Sequence, residues 1–410
     1  MPAEDSLDGG TVTDGTHRER LTTHHRWTVV AVVALTWFVL FGGRLVLPAL
    51  GVQIQGSLGI DNSQFGIAVT VLWACYSLMQ FPSGVMGDDI GYRPVLVVAA
   101  LVMGVGFATL AGVRTFLGFV LVSGAIGVGT GMLTTPTLSL VSELFGEQKG
   151  RALGIVNAAG DASGVVGPLA ATAILIVATW HATFLGLGLA GVALAVAFHA
   201  VLAGSYAYER PAIQPTVRRS GRELLRSGVP VVLLMYSVYA FAWQGLSAFI
   251  PLYAVQAKGL PQSEGNAILS LFFLAGVVIK PAAGWLSDVT SRRLIASSSM
   301  VLSGATLVGV ATVADTRLAV FVLFGAFGTF LMVFPPVMQA YLMDLFAGEQ
   351  MGGAFGLSRT VFILIGSVGP TVIGAGSELF TFDAVFVTLG GVLFLSGGVL
   401  FVTMRYIGGA

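Results

Sequence analysis

Long apolar runs, each closed by a short polar turn, decide what this chain can become. Of its 410 residues, 55% are hydrophobic and only 10% are charged, giving a mean hydropathy of +0.89. A water-soluble domain with so little charge would not stay dispersed, so the bilayer is its solvent. A spanning helix needs roughly 20 apolar residues. Twelve stretches qualify, near 27–50, 65–86, 94–113, 116–140, 152–177, 182–203, 229–253, 267–286, 294–314, 318–343, 355–375 and 384–404. The expected fold class is an all-α integral membrane protein of twelve transmembrane helices.

Basic residues set the expected orientation. Fourteen of the Lys and Arg residues fall in the first 26 residues, the even-numbered loops and the C-terminus; three (Arg114, Lys258, Arg317) fall in odd-numbered loops. The positive-inside rule then places both termini in the cytoplasm of a multi-pass protein of the plasma or inner membrane. Residues 1–26 lack the short apolar core of a cleavable signal and read as a cytoplasmic tail. The stretch Tyr206 to Ser227 holds two prolines with Arg210, Arg218, Arg219, Arg222 and Arg226, and is the one long linker. The chain thus divides into a tail (1–26), a six-helix bundle (27–204), a linker (205–228) and a second bundle (229–410).

The two bundles echo one another. Gly84-Val-Met-Gly-Asp88-Asp-Ile-Gly91-Tyr-Arg93 returns 200 residues later as Gly284-Trp-Leu-Ser-Asp288-Val-Thr-Ser-Arg292-Arg293. Glu143 to Gly154, followed by Gly167-Pro168, returns as Asp344 to Gly356, followed by Gly369-Pro370. Repeated halves about a pseudo-dyad are what transporters use to alternate access. The 55 glycines, scattered along the spans, are expected to let helix backbones approach closely.

With those segments closing helices two and eight, the chain resembles the major facilitator superfamily (MFS) from residue 27 to 405. The first copy keeps Gly84, Asp88, Gly91 and Arg93 of the family's loop motif. The second keeps Gly284, Asp288, Arg292 and Arg293 but carries Ser291 in place of the second glycine. A carboxylate at such a helix end can accept from the N–H groups of a neighbouring helix start and pair with nearby arginine, so a latch between the halves is expected, favouring the outward-open state. Gly160, Gly164 and Gly167-Pro168 resemble the glycine-proline motif of superfamily antiporters.

Three charges within the spans stand out. An uncompensated charge at mid-bilayer costs about 2.5–3.5 kcal/mol on insertion scales, so it usually faces a cavity or a partner. Arg44 and its surroundings, through Tyr76 and Gln80, resemble the anion:cation symporter and organophosphate antiporter branches, where a helix-one arginine holds the substrate's anionic group. A guanidinium offers a fixed fork suited to carboxylate or phosphate; the competing reading is an arginine snorkelling to the interface. Lys280 has Gln80 as its repeat mate, and Arg44 has Gln244, so both cations could line one electropositive cavity. Asp161, some 15 Å into helix five at 1.5 Å per residue, lies at the depth of Lys280. It either pairs with that lysine, binds a coupling proton or sodium ion, or is satisfied locally.

The family's proton machinery departs here: the acids that symporters carry before the helix-one arginine and in helix four are replaced by Gly43 and Thr130, and the drug antiporters' helix-four arginine by Ser123. Trp37, Trp180 and Trp285 suit interface anchoring or packing, whereas Trp243, Tyr76 and Tyr239 suit the cavity. Cys75 is the single cysteine and net charge is zero, so neither a disulfide framework nor a nucleic-acid partner is expected. No phosphate-cradling glycine loop and no Cys/His cluster occurs, so no ATP-driven pump, enzyme, metal or cofactor is expected. The expected function is secondary transport of a small organic anion such as a carboxylate, sugar acid or phosphate ester, by symport or exchange, in a monomer. The expected substrate ligands are Arg44, Tyr76, Gln80, Gln244 and Lys280. A drug-efflux antiporter and a transporter-like sensor that moves nothing are the alternatives.

Overall fold

The computed structural model describes residues 23–202, 224–225, 229–346 and 351–407. The tail up to residue 22 and most of the linker, including its five arginines, lie outside the described residues. Among the described residues, twelve helices are long and apolar enough to cross a bilayer: α1 His25–Ala49, α2 Asn62–Ile90, α3 Tyr92–Leu110, α4 Phe116–Phe145, α5 Lys149–Val177, α6 Trp180–Val201, α7 Val229–Gln256, α8 Gln262–Val289, α9 Arg292–Thr312, α10 Arg317–Leu345, α11 Phe355–Leu379 and α12 Phe382–Arg405. An even number of crossings puts the two ends of the described chain on one side, here called the terminal face.

The helices run past the apolar runs that announced them because polar residues cap and extend their ends. Asp61 closes a capping box with Gln64 and so starts α2 ahead of the first hydrophobic residue. Gly91 ends α2 at φ 92°, a conformation that costs other residues a Cβ clash, and this explains the motif's second glycine. The second copy turns differently: Ser291 sits at φ −66° and needs no glycine there. Pro168 lies inside an unbroken α5, whereas its mate Pro370 opens a new helical segment after a break at residues 367–368 of α11.

Glycines bring the helices close, as expected from their distribution. A Cβ on Gly127 would fall on the Leu72 carbonyl, and one on Gly131 on the Tyr76 carbonyl, so α4 packs backbone-to-backbone on α2. The same device joins the two halves, because a Cβ on Gly66 of α2 would meet the Pro370 carbonyl of α11. The outward faces carry apolar side chains such as Trp285, which is 67% exposed and has hydrocarbon as its natural surroundings.

The side away from the terminal face is closed by polar bonds between the halves. The Asn62 backbone N–H donates to Glu378 at 3.0 Å, and its Nδ2 donates to Gln256 Oε1 at 3.0 Å. Gln256 Nε2 donates to Gln55 at 3.2 Å, and Gln55 in turn donates to Asn62 Oδ1 at 2.8 Å. A matching set lies across the pseudo-dyad, where Gln262 donates to the Ala49 carbonyl at 2.7 Å and Asn266 donates to Thr172 Oγ1 at 2.8 Å.

Candidate functional site: a central cavity between the halves

Beneath that closed face lies a cavity of about 490 Å³ walled by both halves, reaching toward the terminal face past Leu138, Leu153 and Phe355. Arg44 lies in its wall. The turn Trp37–Phe41 just before it is a wide π-helical one, a feature common at functional sites. Gly42 and Gly43 follow, and a Cβ on either would collide with Ser163 of α5 or Phe107 of α3. These absent side chains let α1 sink between its neighbours, which leaves Arg44 only 5% exposed.

The Arg44 guanidinium meets three ring faces: Phe41 at 3.7 Å, Trp73 at 4.4 Å and Tyr76 at 4.8 Å. Each desolvated cation–π contact contributes up to about 2 kcal/mol, which offsets much of the cost of burying the charge. The rings hold the cation chiefly through the faces of their π-systems. Nε and Nη1 are buried with no hydrogen-bond partner, so N–H groups on both nitrogens are left unsatisfied.

Across the seam, Lys280 Nζ donates to Asp161 Oδ1 at 2.7 Å, and both line the cavity at about one-third side-chain exposure, 31% and 35%. This pair ties α5 to α8. Gln244 lines the wall, with Nε2 donating to the Ile363 carbonyl at 3.1 Å and Oε1 unpartnered. Tyr76, Tyr239 and Trp243 also line it, as their aromatic character suggested.

One sequence expectation needs correction, and one open choice is decided. Gln80 is 4% exposed and does not face the cavity. At its level α2 is pressed between α11 and α4, with Ser77 donating to the Thr360 carbonyl at 2.6 Å and Ser83 donating to the Gly131 carbonyl at 3.0 Å. Of the two readings for Trp37, packing holds: it is buried, stacks on Phe41 at 4.6 Å and donates from Nε1 to Thr137 at 3.0 Å.

One cavity group went unrecognised in the sequence. Arg359 of α11 lines the wall, and its Nη2 lies 3.5 Å from Tyr76 Oη, so guanidinia from the two halves converge on one phenol. The repeat held the signal. Arg359 is the mate of Asn157, displaced by 202, and Asn157 also lines the cavity. Arg44 with Gln244, Lys280 with Gln80, and Arg359 with Asn157 are three instances of a cation facing an amide in register. Among the described residues, the wall therefore carries three cations (Arg44, Lys280, Arg359) and one acid (Asp161).

The loop-motif residues lie at the terminal face. Tyr92 Oη donates to Glu143 and, at 3.3 Å, to Asp88. In the second copy Arg292 pairs with Asp344 and, at 3.8 Å, with Asp288. Residues 92 and 143 are the mates of 292 and 344, so one tie between helix ends is built twice from different chemistry. Arg93 donates to the His199 carbonyl at 2.7 Å, placing a cation at the C-terminal end of α6, where the helix dipole favours it. Gly84 is required by packing on Thr135, whereas Gly284 has open space where a side chain would go. Each of these contacts lies within one half.

Comparison with known proteins fixes the family. The sequence pattern described as Major Facilitator Superfamily matches residues 32–265 and again 232–407. The chain belongs to the Major Facilitator Superfamily. It is 25% identical over 386 residues to a probable sulfoacetate transporter of Cupriavidus necator, covering 87% of this chain and 88% of that one. It is 22% identical over 385 residues to the hexuronate transporter of Bacillus subtilis (89% and 91% covered), and 24% identical over 344 residues to the multidrug resistance protein MdtH of Aeromonas hydrophila (83% and 84%). Among solved structures, a bacterial homologue of the human lysosomal transporter Spinster, inward-facing and unoccupied, superposes with a TM-score of 0.82 at 14% identity over 94% of this chain and 98% of that one. The protein is thus a multi-pass membrane transporter of the superfamily, with a small-molecule substrate.

Proposed function

We propose that this superfamily member moves a small organic anion by rocking its halves, 27–204 and 229–410, around the central cavity, with Arg44 and Arg359 receiving the anionic group. The observation that carries this reading is Arg44 itself: buried, held by three rings, and keeping Nε and Nη1 unpartnered beside an open cavity. An incoming carboxylate, sulfonate or phosphate supplies the missing acceptors, and because Arg359 comes from the other half, a bound anion bridges both. The names of relatives support this: sulfoacetate, L-galactonate and hexuronate are organic acids. With the termini cytoplasmic, as the Lys and Arg count indicates, the cavity opens inward and the amide ties close the outer side of a plasma or inner membrane.

On this reading Gln244 and Tyr76 are weaker ligands. The Asp161–Lys280 pair breaks and reforms as the halves rock, and Asp161 is the acid available for a coupling proton or sodium ion. The latch at Asp88 and Asp288 engages across the halves only when the inner side closes. The chain works as a monomer that catalyses no bond chemistry. Likeness to multidrug resistance proteins keeps efflux as the second reading, but a cationic compound would meet two guanidinia in this wall. Thermal stability of purified protein separates the two. Ligand at 100 times its Kd stabilises by about 2.7 kcal/mol. A carboxylate, sulfonate or phosphate ester should raise the melting temperature, and Arg44→Ala should remove the rise. Stabilisation by cationic dyes and by no anion would overturn the reading.

A further inference from the structure

The cavity wall is aromatic beyond what holding Arg44 requires. Trp73 and Trp243, from opposite halves, meet edge to face with centroids 5.2 Å apart. Trp243 continues edge to face onto Phe273 at 6.1 Å, and Tyr236 stacks on Phe362 at 3.9 Å. All of these rings line the cavity, as does Tyr239. Neutral amides in the same wall are few: Asn157, Gln244 and Gln339, with the Gln244 Nε2 already committed to the Ile363 carbonyl.

A polyhydroxylated acid buries several hydroxyls, each of which loses affinity unless it finds a partner. Apart from the charged groups, hydroxyls would have to share three amides and the Tyr76, Tyr236 and Tyr239 hydroxyls, whereas a ring finds aromatic neighbours over much of the wall, in the edge and face arrangements that aromatic groups prefer. Position matters as well. Trp73 lies under the Arg44 guanidinium at 4.4 Å and against Trp243 at 5.2 Å, so a ring packed on these indoles carries its acid group toward Arg44.

Resting on the anion-transport reading above, we propose that the substrate is an aromatic acid: a carboxylate or sulfonate on a flat ring, the acid at Arg44 and Arg359 and the ring on Trp73, Trp243 and the Tyr236–Phe362 stack. Trp243 is then a specificity-determining residue. The cavity, about 490 Å³, falls within the usual range of ligand pockets, roughly 300–1,000 Å³.

Isothermal titration of purified full-length protein with 4-hydroxybenzoate, phenylacetate and galacturonate tests this. The aromatic acids should bind at least tenfold more tightly than galacturonate. Trp243→Leu should weaken them at least fivefold and change galacturonate binding less than twofold, while Trp243→Phe should keep the preference. If Trp243→Leu does not purify folded, the wild-type comparison and Trp243→Phe decide. Galacturonate binding as tightly as the aromatic acids, or a preference untouched by Trp243→Leu, would overturn the aromatic assignment and leave the anion site standing. Failure of all three acids to bind would overturn both.

Discussion

Asp161 and Lys280 form a single ionic contact that ties the halves and also lines the proposed binding chamber. At about one-third exposure the pair sits between the surface regime, worth about 0–1 kcal/mol, and the fully buried one, where removing a partner costs about 3–5 kcal/mol. Its sign matters more than its size, because both groups face the chamber proposed to receive the anion. Asp161→Asn leaves an extra cation in the wall and should tighten anion binding. Lys280→Met leaves a bare carboxylate and should weaken it roughly tenfold, about 1.4 kcal/mol. Titration of both variants checks this; equal effects in the same direction would mean that the pair is remote from the bound anion.

At this scale the sequence was uneven. Arg44, Asp161 and Lys280 were legible because a charge in a long apolar run has few stable fates. Arg359 was not picked out, although the cation-with-amide register of the repeat contained it. Gln80 was over-read, since register with Lys280 shows which helix level a residue occupies but not whether a neighbouring helix covers it, as α11 does at Ser77.

Among the elements, the entrances to α2 and α8 do the closing. Both begin with amides, Asn62 and Gln262 with Asn266, and both reach across to the opposite half. Each hydrogen bond contributes about 0.5–1.5 kcal/mol net. Asn62→Ala removes the side-chain bond to Gln256 across the seam, and should shift the conformational equilibrium by about 0.5–1.5 kcal/mol away from the closed arrangement. Spin labels at Ser57 and Ala257, in a Cys75→Ser background, should then show an added population at longer distance. An unchanged distribution would mean that the remaining contacts, such as Gly66 on Pro370, Gly374 on Asn62 and the Gln262 and Asn266 bonds, hold this face without the Asn62 side chain.

The element count and class were legible because the hydrocarbon leaves twelve runs of about twenty apolar residues little else to become. The ends were not, since caps such as Asp61 with Gln64 extend helices through polar residues that hydropathy cannot separate from loops. The amide ties were also missed, because Gln55, Asn62 and Gln256 look like ordinary loop polar residues until the fold brings them together.

For the whole molecule, the duplicated sequence has become a chamber that both halves wall, shut by amides on one face and reached from the other. Charge is distributed unequally over that symmetry: each half offers amides at the level where its mate offers a cation, so the chamber is positive although the chain is neutral overall. On the proposed reading the chamber binds one anion at a time and faces one side at a time, which makes it a carrier whose simplest activity is exchange.

Counterflow in proteoliposomes measures that activity directly. Vesicles loaded with an unlabelled anion that stabilises the purified protein should accumulate the labelled anion, and Arg44→Ala should abolish the accumulation while purifying as a folded monomer with unchanged yield. Counterflow at the wild-type rate in Arg44→Ala would contradict the account.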